Sequence, residues 1–166
     1  NGYMLSFPGL SLVATGSGVD RGARYNERFS EQYRISGTSF IRLNADDSVD
    51  TLGAVVGSEQ VAMPYSFNTQ CVIAGGRMWL WDETDFTEVN DSDLGDPIDG
   101  VWVDGYYFLT DGEFIYHTDI TDETSIDLLK FATAEFSPDP TLGVSLTQDD
   151  KVMVWGRYTL EYFVND

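Results

Sequence analysis

The sequence predicts an all-β fold, an antiparallel β-propeller or part of one, and three observations predict it. A unit of strand, glycine turn and strand recurs four times along the 166 residues. Its period is about 40 residues, that of a propeller blade with three or four antiparallel strands. The residues flanking each turn are β-branched or aromatic, which suits a pleated, half-buried surface better than a helix. A two-sheet β-sandwich also spaces short strands regularly and is the rival fold.

The first unit runs from Gln32 to Leu43 around Gly37 and the second from Cys71 to Trp81 around Gly76. The third runs from Tyr107 to Tyr116 around Gly112, and the fourth from Val152 to Tyr162 around Gly156. Each turn is expected to need a positive φ, which glycine reaches without a Cβ clash, and Asp111-Gly112 is a strong hairpin signal. A strand-like run precedes each hairpin: Gly22 to Tyr25, Gln60 to Met63, Gly100 to Val103 and Leu142 to Leu146. Fourth strands are expected from Ser48 to Val56 and from Phe86 to Asn90, and only Glu123 to Phe131 could supply a short helix. The approximate units are 19–56, 58–90, 97–131 and 140–166, forming one propeller-like body. The chain opens Asn-Gly-Tyr rather than with Met and without a signal-peptide pattern, and reads as a fragment of a longer protein.

Composition narrows the function. Nine Lys and Arg face 28 Asp and Glu, a formal net charge of −19. Sequence-independent nucleic-acid binding neutralises phosphates with Lys and Arg, so this balance argues against a DNA-binding domain. The charge is also uneven. Arg21, Arg24, Arg28, Arg34 and Arg42 crowd the first quarter, whereas Met78 to Leu129 holds 15 acids and no Lys or Arg. That acidic window is expected to be a solvated surface, with a docking face as the alternative. No apolar run approaches the roughly 20 residues of a membrane span. The single cysteine, Cys71, cannot form an internal disulfide and lies in an apolar run, so it reads as a small buried hydrophobe made in a reducing cytoplasm.

Residues that could carry chemistry are few. One histidine, His117, and one cysteine cannot supply a zinc ligand set, and neither lies in a nucleophile motif; His117 reads as a strand-end residue. Asn90 to Asp96 resembles a calcium loop, but from Asp91 the glycine falls one place early. Asp46-Asp47 and Asp149-Asp150 read as turns. Gly16-Ser17-Gly18 lacks the downstream Gly-Lys of a phosphate loop and reads as a flexible linker. No catalytic, metal or cofactor-binding residue is therefore assigned. The many acids keep one alternative open, a carbohydrate-binding or glycan-cleaving propeller using an acidic pair near its axis.

Several strings, in order along the chain, resemble a known family. Asn1 to Gly9 is similar to a Gly-Tyr and Ser-Phe-Pro-Gly opening, and Gly18 to Asn26 to a Gly-Val-x-Arg-Gly-x-x-Tyr-Asn string. Tyr33 to Gly37, Thr118 to Ser125 and Leu160 to Phe163 also find counterparts, whereas Asp82 to Asp99 does not. The family is that of the packaged-DNA stabilisation proteins, the tail accessory or tail-hub factors of short-tailed phages, and the chain resembles its N-terminal half. The resemblance implies a non-enzymatic structural protein of the virion tail, made in the bacterial cytoplasm. It implies a homo-oligomeric ring at the head-to-tail joint that closes the portal channel, retains packaged DNA and anchors tail parts. The implied partners are the portal-adaptor ring, a tailspike and a needle-like plug, with no sequence-specific nucleic-acid contact, membrane or cofactor. In such a ring the acidic window would line the channel or face solvent, leaving Arg21, Arg24 and Arg28 as a protein interface.

Overall fold

The computed structural model describes residues 16–126 and 139–163; the Asn1 to Gly9 string and the far end of the possible short helix lie outside them. The described residues form four antiparallel sheets in chain order, without a helix. Sheet 1 holds β1 (Asp20–Asn26), β2 (Glu31–Ser36), β3 (Ser39–Leu43) and β4 (Val49–Ala54). Sheet 2 holds β5 (Gln70–Ala74), β6 (Arg77–Trp81) and β7 (Phe86–Glu88). Sheet 3 holds β8 (Asp99–Val103), β9 (Tyr106–Thr110), β10 (Ile115–Asp119) and β11 (Asp122–Ile126). Sheet 4 holds β12 (Thr141–Leu146), β13 (Val152–Gly156) and β14 (Leu160–Phe163). Every sheet is an up-and-down meander, so the four predicted hairpins fall in four different sheets.

Alternation along single strands explains how the sheets stack. Successive strand residues point to opposite faces, and sheet 2 sends apolar residues both ways. Val72, Ala74, Trp79 and Trp81 pack with Tyr33, Ile35 and Phe40 of sheet 1. Their neighbours Cys71, Ile73, Met78 and Leu80 pack with Tyr107, Leu109 and Tyr116 of sheet 3. A third core joins sheets 3 and 4 through Val103, Ile115, Val144, Val152 and Val154. Three cores between four consecutive sheets, each sheet against the next, is the layering of a propeller rather than the single core of a two-sheet sandwich.

Three expectations are corrected. Gln60 to Met63 forms no full strand, although it runs beside β5. Ala62 and Ile73 exchange both backbone hydrogen bonds, Cys71 N donates to Pro64 O, and Tyr65 bridges Gln70. The ladder breaks because Pro64 has no N–H. The carbonyl of Cys71 that this amide would have reached accepts instead from the Gln70 side chain, at 2.8 Å. Asp122–Ile126 is strand β11, not the start of a helix; Asp122 Oδ1 accepts from Thr124 N at the start of the strand, while Thr118 and Ile126 pair across the sheet. Gly16 to Gly18 is no free linker, since Gly18 is seated on the β2–β3 turn. Ser36 Oγ donates to Gly18 O, Gly37 N donates to Val19 O, and a Cβ on Gly18 would lie 2.8 Å from Gly37 Cα.

The predicted hairpin glycines have two different reasons for being glycine. Gly37, Gly76 and Gly112 adopt positive φ, as the turn chemistry requires, and Gly75 joins Gly76 in a two-residue turn. Gly156 does not; it closes β13, and the turn lies at residues 157–159. There the carboxylate of Asp139 accepts from Tyr158 N, Thr159 N and Thr159 Oγ1. A Cβ on Gly156 would stand 2.4 Å from that Asp139 Oδ2, so space rather than backbone angle requires glycine.

Candidate functional site

The first strands of sheets 1, 3 and 4, with residues 61–67 in the corresponding place beside sheet 2, border one shared cavity of about 1060 Å³. Its walls are β1, the residues 61–67 beside β5, β8 and β12. The turns that follow these segments, at Glu27, Phe67, Asp104 and Asp150, form its mouth. An up-and-down meander puts first-to-second and third-to-fourth turns on one rim and second-to-third turns on the other. These lining turns therefore lie on the rim away from Gly37, Gly76 and Gly112.

Aromatic rings and two arginines define one side of the mouth. Arg28 lies over Phe67, with Cζ 4.0 Å from the ring centre, and Phe67 stands edge-on to Trp102 at 4.7 Å. Arg24 lies over Tyr65 at 5.1 Å. Both arginines are exposed, and neither has a carboxylate within 4.0 Å among the described residues. Arg34, Arg42 and Arg77, by contrast, each pair with an acid. Asp99 ties the wall together: Oδ1 accepts from Gly100 N and Oδ2 from Val144 N, linking sheets 3 and 4. Burial holds its carboxyl above the ordinary range, partly offset by those two amides. Trp102 Nε1 and Ser145 Oγ, on the same walls, are buried without hydrogen-bond partners.

Arg21, expected to join Arg24 and Arg28 at an interface, is instead an internal staple. It is buried, and its guanidinium donates to Glu59 O, Gly37 O and Val56 O at 2.7, 3.0 and 2.8 Å. Those carbonyls belong to the β2–β3 turn and to the connection between sheets 1 and 2, whose orphaned acceptors an arginine fork can collect at once. Arg21 thus lies in β1, one place ahead of the predicted Gly22 to Tyr25 run, with its side chain directed into the chain.

The other singled-out residues form no reactive group. Cys71 is fully buried and burial pushes its thiol well up, which suppresses the reactive thiolate. The His117 ring packs between Tyr106 and Phe108, with Nδ1 2.8 Å from Thr118 O. In the calcium-like loop, Asp91 Oδ1 accepts from Asp93 N and Oδ2 from Ile126 N, fastening the loop to β11. Among the described residues, no three His, Cys, Asp or Glu gather as metal ligands.

Much of the acidity has a structural use that sequence reading missed. Asp46-Asp47-Ser48 and Asp82-Glu83-Thr84 occupy the third-to-fourth and second-to-third strand turns of sheets 1 and 2, and Asp122-Glu123-Thr124 opens β11 just after the third-to-fourth turn of sheet 3. In each, the leading Asp Oδ1 accepts the amide two residues on, at 3.1, 2.9 and 2.9 Å. Ser48 and Thr124 add hydroxyl donors at 2.6 Å. These hydrogen bonds hold all three carboxyls below their ordinary range. The signal was available as an Asp, acid, hydroxyl triplet recurring at the repeat period.

Comparison with known proteins matches this architecture. The family model described as bacteriophage P22 Gp10, beta-propeller, covers residues 1–166. The tail hub protein gp10 of Salmonella phage P22 is 32% identical over 178 residues, covering 98% of this chain and 36% of that protein. The chain thus spans about a third of the curated relative's length. Among solved structures, the WD40 β-propeller domain of Doa1 superposes with a TM-score of 0.63 at 12% identity, covering 92% of this chain and 53% of that one. The virginiamycin B lyase of Staphylococcus aureus gives 0.62 at 9% identity, with coverages of 90% and 56%. At such identities these two structures speak for the fold alone.

Proposed function

The chain belongs to the bacteriophage P22 Gp10 β-propeller family, and on that premise we propose that it is a structural part of a phage tail hub that helps close the portal channel, retain packaged DNA and anchor other tail proteins. The family match along the whole chain carries this reading. The chemistry agrees with a mechanical role. The lone cysteine is buried, the lone histidine is packed between rings, and many aspartates are engaged in capping turns. Retention would be mechanical: stacked sheets with continuous cores resist deformation, and an acidic surface lets phosphates pass without adhering. Assembly would rely on protein contacts within a ring and with neighbouring tail components.

Disrupting the gene in its phage and probing the resulting particles tests this. Packaged DNA should become accessible to nuclease, infectivity should be lost, and both should return when the intact gene is supplied. Full particles that keep their DNA without this protein would contradict the proposal.

A further inference from the structure

The geometry points to the mouth of the central cavity as the docking site of an acidic, extended peptide segment from a partner protein, received by Arg24 and Arg28. That the partner is a protein rests on the reading of the chain as an assembly component; the site itself rests on the side chains. Each guanidinium lies over an aromatic face, Arg28 on Phe67 and Arg24 on Tyr65. A cation held over a ring spends no N–H in a hydrogen bond, so the guanidinium keeps its N–H edge for a carboxylate, which that edge binds with two parallel hydrogen bonds. In a chain with 28 acids and nine Lys and Arg, Arg24 and Arg28 have no carboxylate within 4.0 Å among the described residues. Glu27, between them in sequence, is also at the mouth, yet bonds neither. Phe67 is 54% exposed despite its apolar ring, and with Trp102 it offers a platform beside the charges.

The same rim argues for a peptide over a nucleic acid. Asp104 and Asp150 line the same cavity as the arginines, and the acidic third-to-fourth turns lie on the same rim as the first-to-second turns. A nucleic acid carries negative charge at every step and would meet those acids. A peptide can place carboxylates on the arginine side and amides or a lysine toward Asp104 and Asp150. Three sheets and the segment 61–67 line the cavity, whose volume is about 1060 Å³.

The test uses the full chain in a selection from a displayed random-peptide library. Recovered peptides, labelled with fluorescein, are titrated by fluorescence anisotropy beside a labelled oligo(dT). The proposal expects enrichment of Asp and Glu, affinity that weakens with salt, and no comparable binding of oligo(dT). Arg28→Ala should weaken binding about tenfold or more, and Arg28→Lys nearly as much because lysine lacks the planar fork. Phe67→Leu, which keeps apolar bulk and removes the ring face, should weaken it by a smaller factor, so the test does not depend on one variant. Failure to enrich any peptide, enrichment of basic sequences, affinity unchanged in the Arg24→Ala/Arg28→Ala double variant, or arginine-dependent oligo(dT) binding would each overturn the proposal. Peptide binding that succeeds while particles keep their DNA without this protein would sink the tail-hub reading and leave the site standing.

Discussion

Sheets 2 and 4 are built from the same unit and end in opposite surroundings. All five residues of β5 are buried, as are four of five in β6, because sheet 1 covers one face and sheet 3 the other. In sheet 4 one face supplies Val144, Val152 and Val154 to the core with sheet 3, while Trp155, Leu160 and Tyr162 on the other are 48%, 52% and 57% exposed. Burial on both faces explains why Cys71 to Ala74 and Met78 to Trp81 read as continuous apolar runs rather than alternating ones. The open face of sheet 4 carries the same kind of side chain, so its exposure reflects its place in the stack and not a polar sequence.

The largest test of that contrast is a matched pair of tryptophans. Trp81→Ala removes a buried ring and the donor to Tyr33 Oη, and should cost about 3–5 kcal/mol in denaturant unfolding. Trp155→Ala, at a half-exposed ring, should cost about 1 kcal/mol or less. Equal losses would mean that sheet 4 is covered as completely as sheet 2.

Arg21→Ala should come next, at about 2–4 kcal/mol, because three backbone carbonyls lose a shared charged donor in a buried place. Arg24→Ala, on the surface, should shift the melting temperature little. A melting curve of Arg21→Ala close to wild type would refute the staple.

Gly112→Val should cost about 1–3 kcal/mol through backbone strain, since φ is +97° and the nearest atom to an added Cβ is an unobstructive 3.6 Å away. At Gly156 the cost would come from the Asp139 carboxylate and not from φ, so Gly156→Ala combined with Asp139→Ala should be less damaging than the sum of the two.

Titration separates the turns from the cavity wall. Hydrogen-bonded Asp46, Asp82, Asp122 and Asp139 have lowered values, and Asp149, beside Lys151, is lowered to about 2. Their stabilisation is complete above the ordinary value of 3.8 and is lost as pH falls through their folded values, so the melting temperature should drop toward pH 2. Asp99 has the opposite sign. Its raised value makes its contribution greatest below 3.8 and smaller as pH rises through the folded value. Wild type should therefore lose stability relative to Asp99→Asn as pH climbs from 3.8, and a constant difference would contradict this. The smallest effect is expected at Ser145→Ala, neutral or stabilising by about 1 kcal/mol, because the buried hydroxyl has no partner to lose.

The hairpins were legible in the sequence because glycine turns and β-branched flanks act locally. The strand before β5 was only half legible: its apolar residues were visible, but the consequence of Pro64 for one ladder rung depends on which residue lies opposite. β11 was hidden because Asp122 to Ile126 has few apolar residues and its pairing with β10 is irregular. The site was less legible than the fold. Arg21, Arg24 and Arg28 look alike in sequence, yet only the bulge near Asp20 and Gly22 and the return of residues 56–59 turn Arg21 inward. Phe67 and Trp102 are 35 positions apart, and nothing local shows that they meet beneath Arg28.

Immunogold electron microscopy on purified phage particles tests the tail-component reading most directly, with antibody raised against the exposed turn at Asp82 to Asp85. Gold clustered on the tail, and absent from particles whose gene is disrupted, is the predicted result. Label distributed over the head, or the protein recovered wholly free of particles, would contradict it.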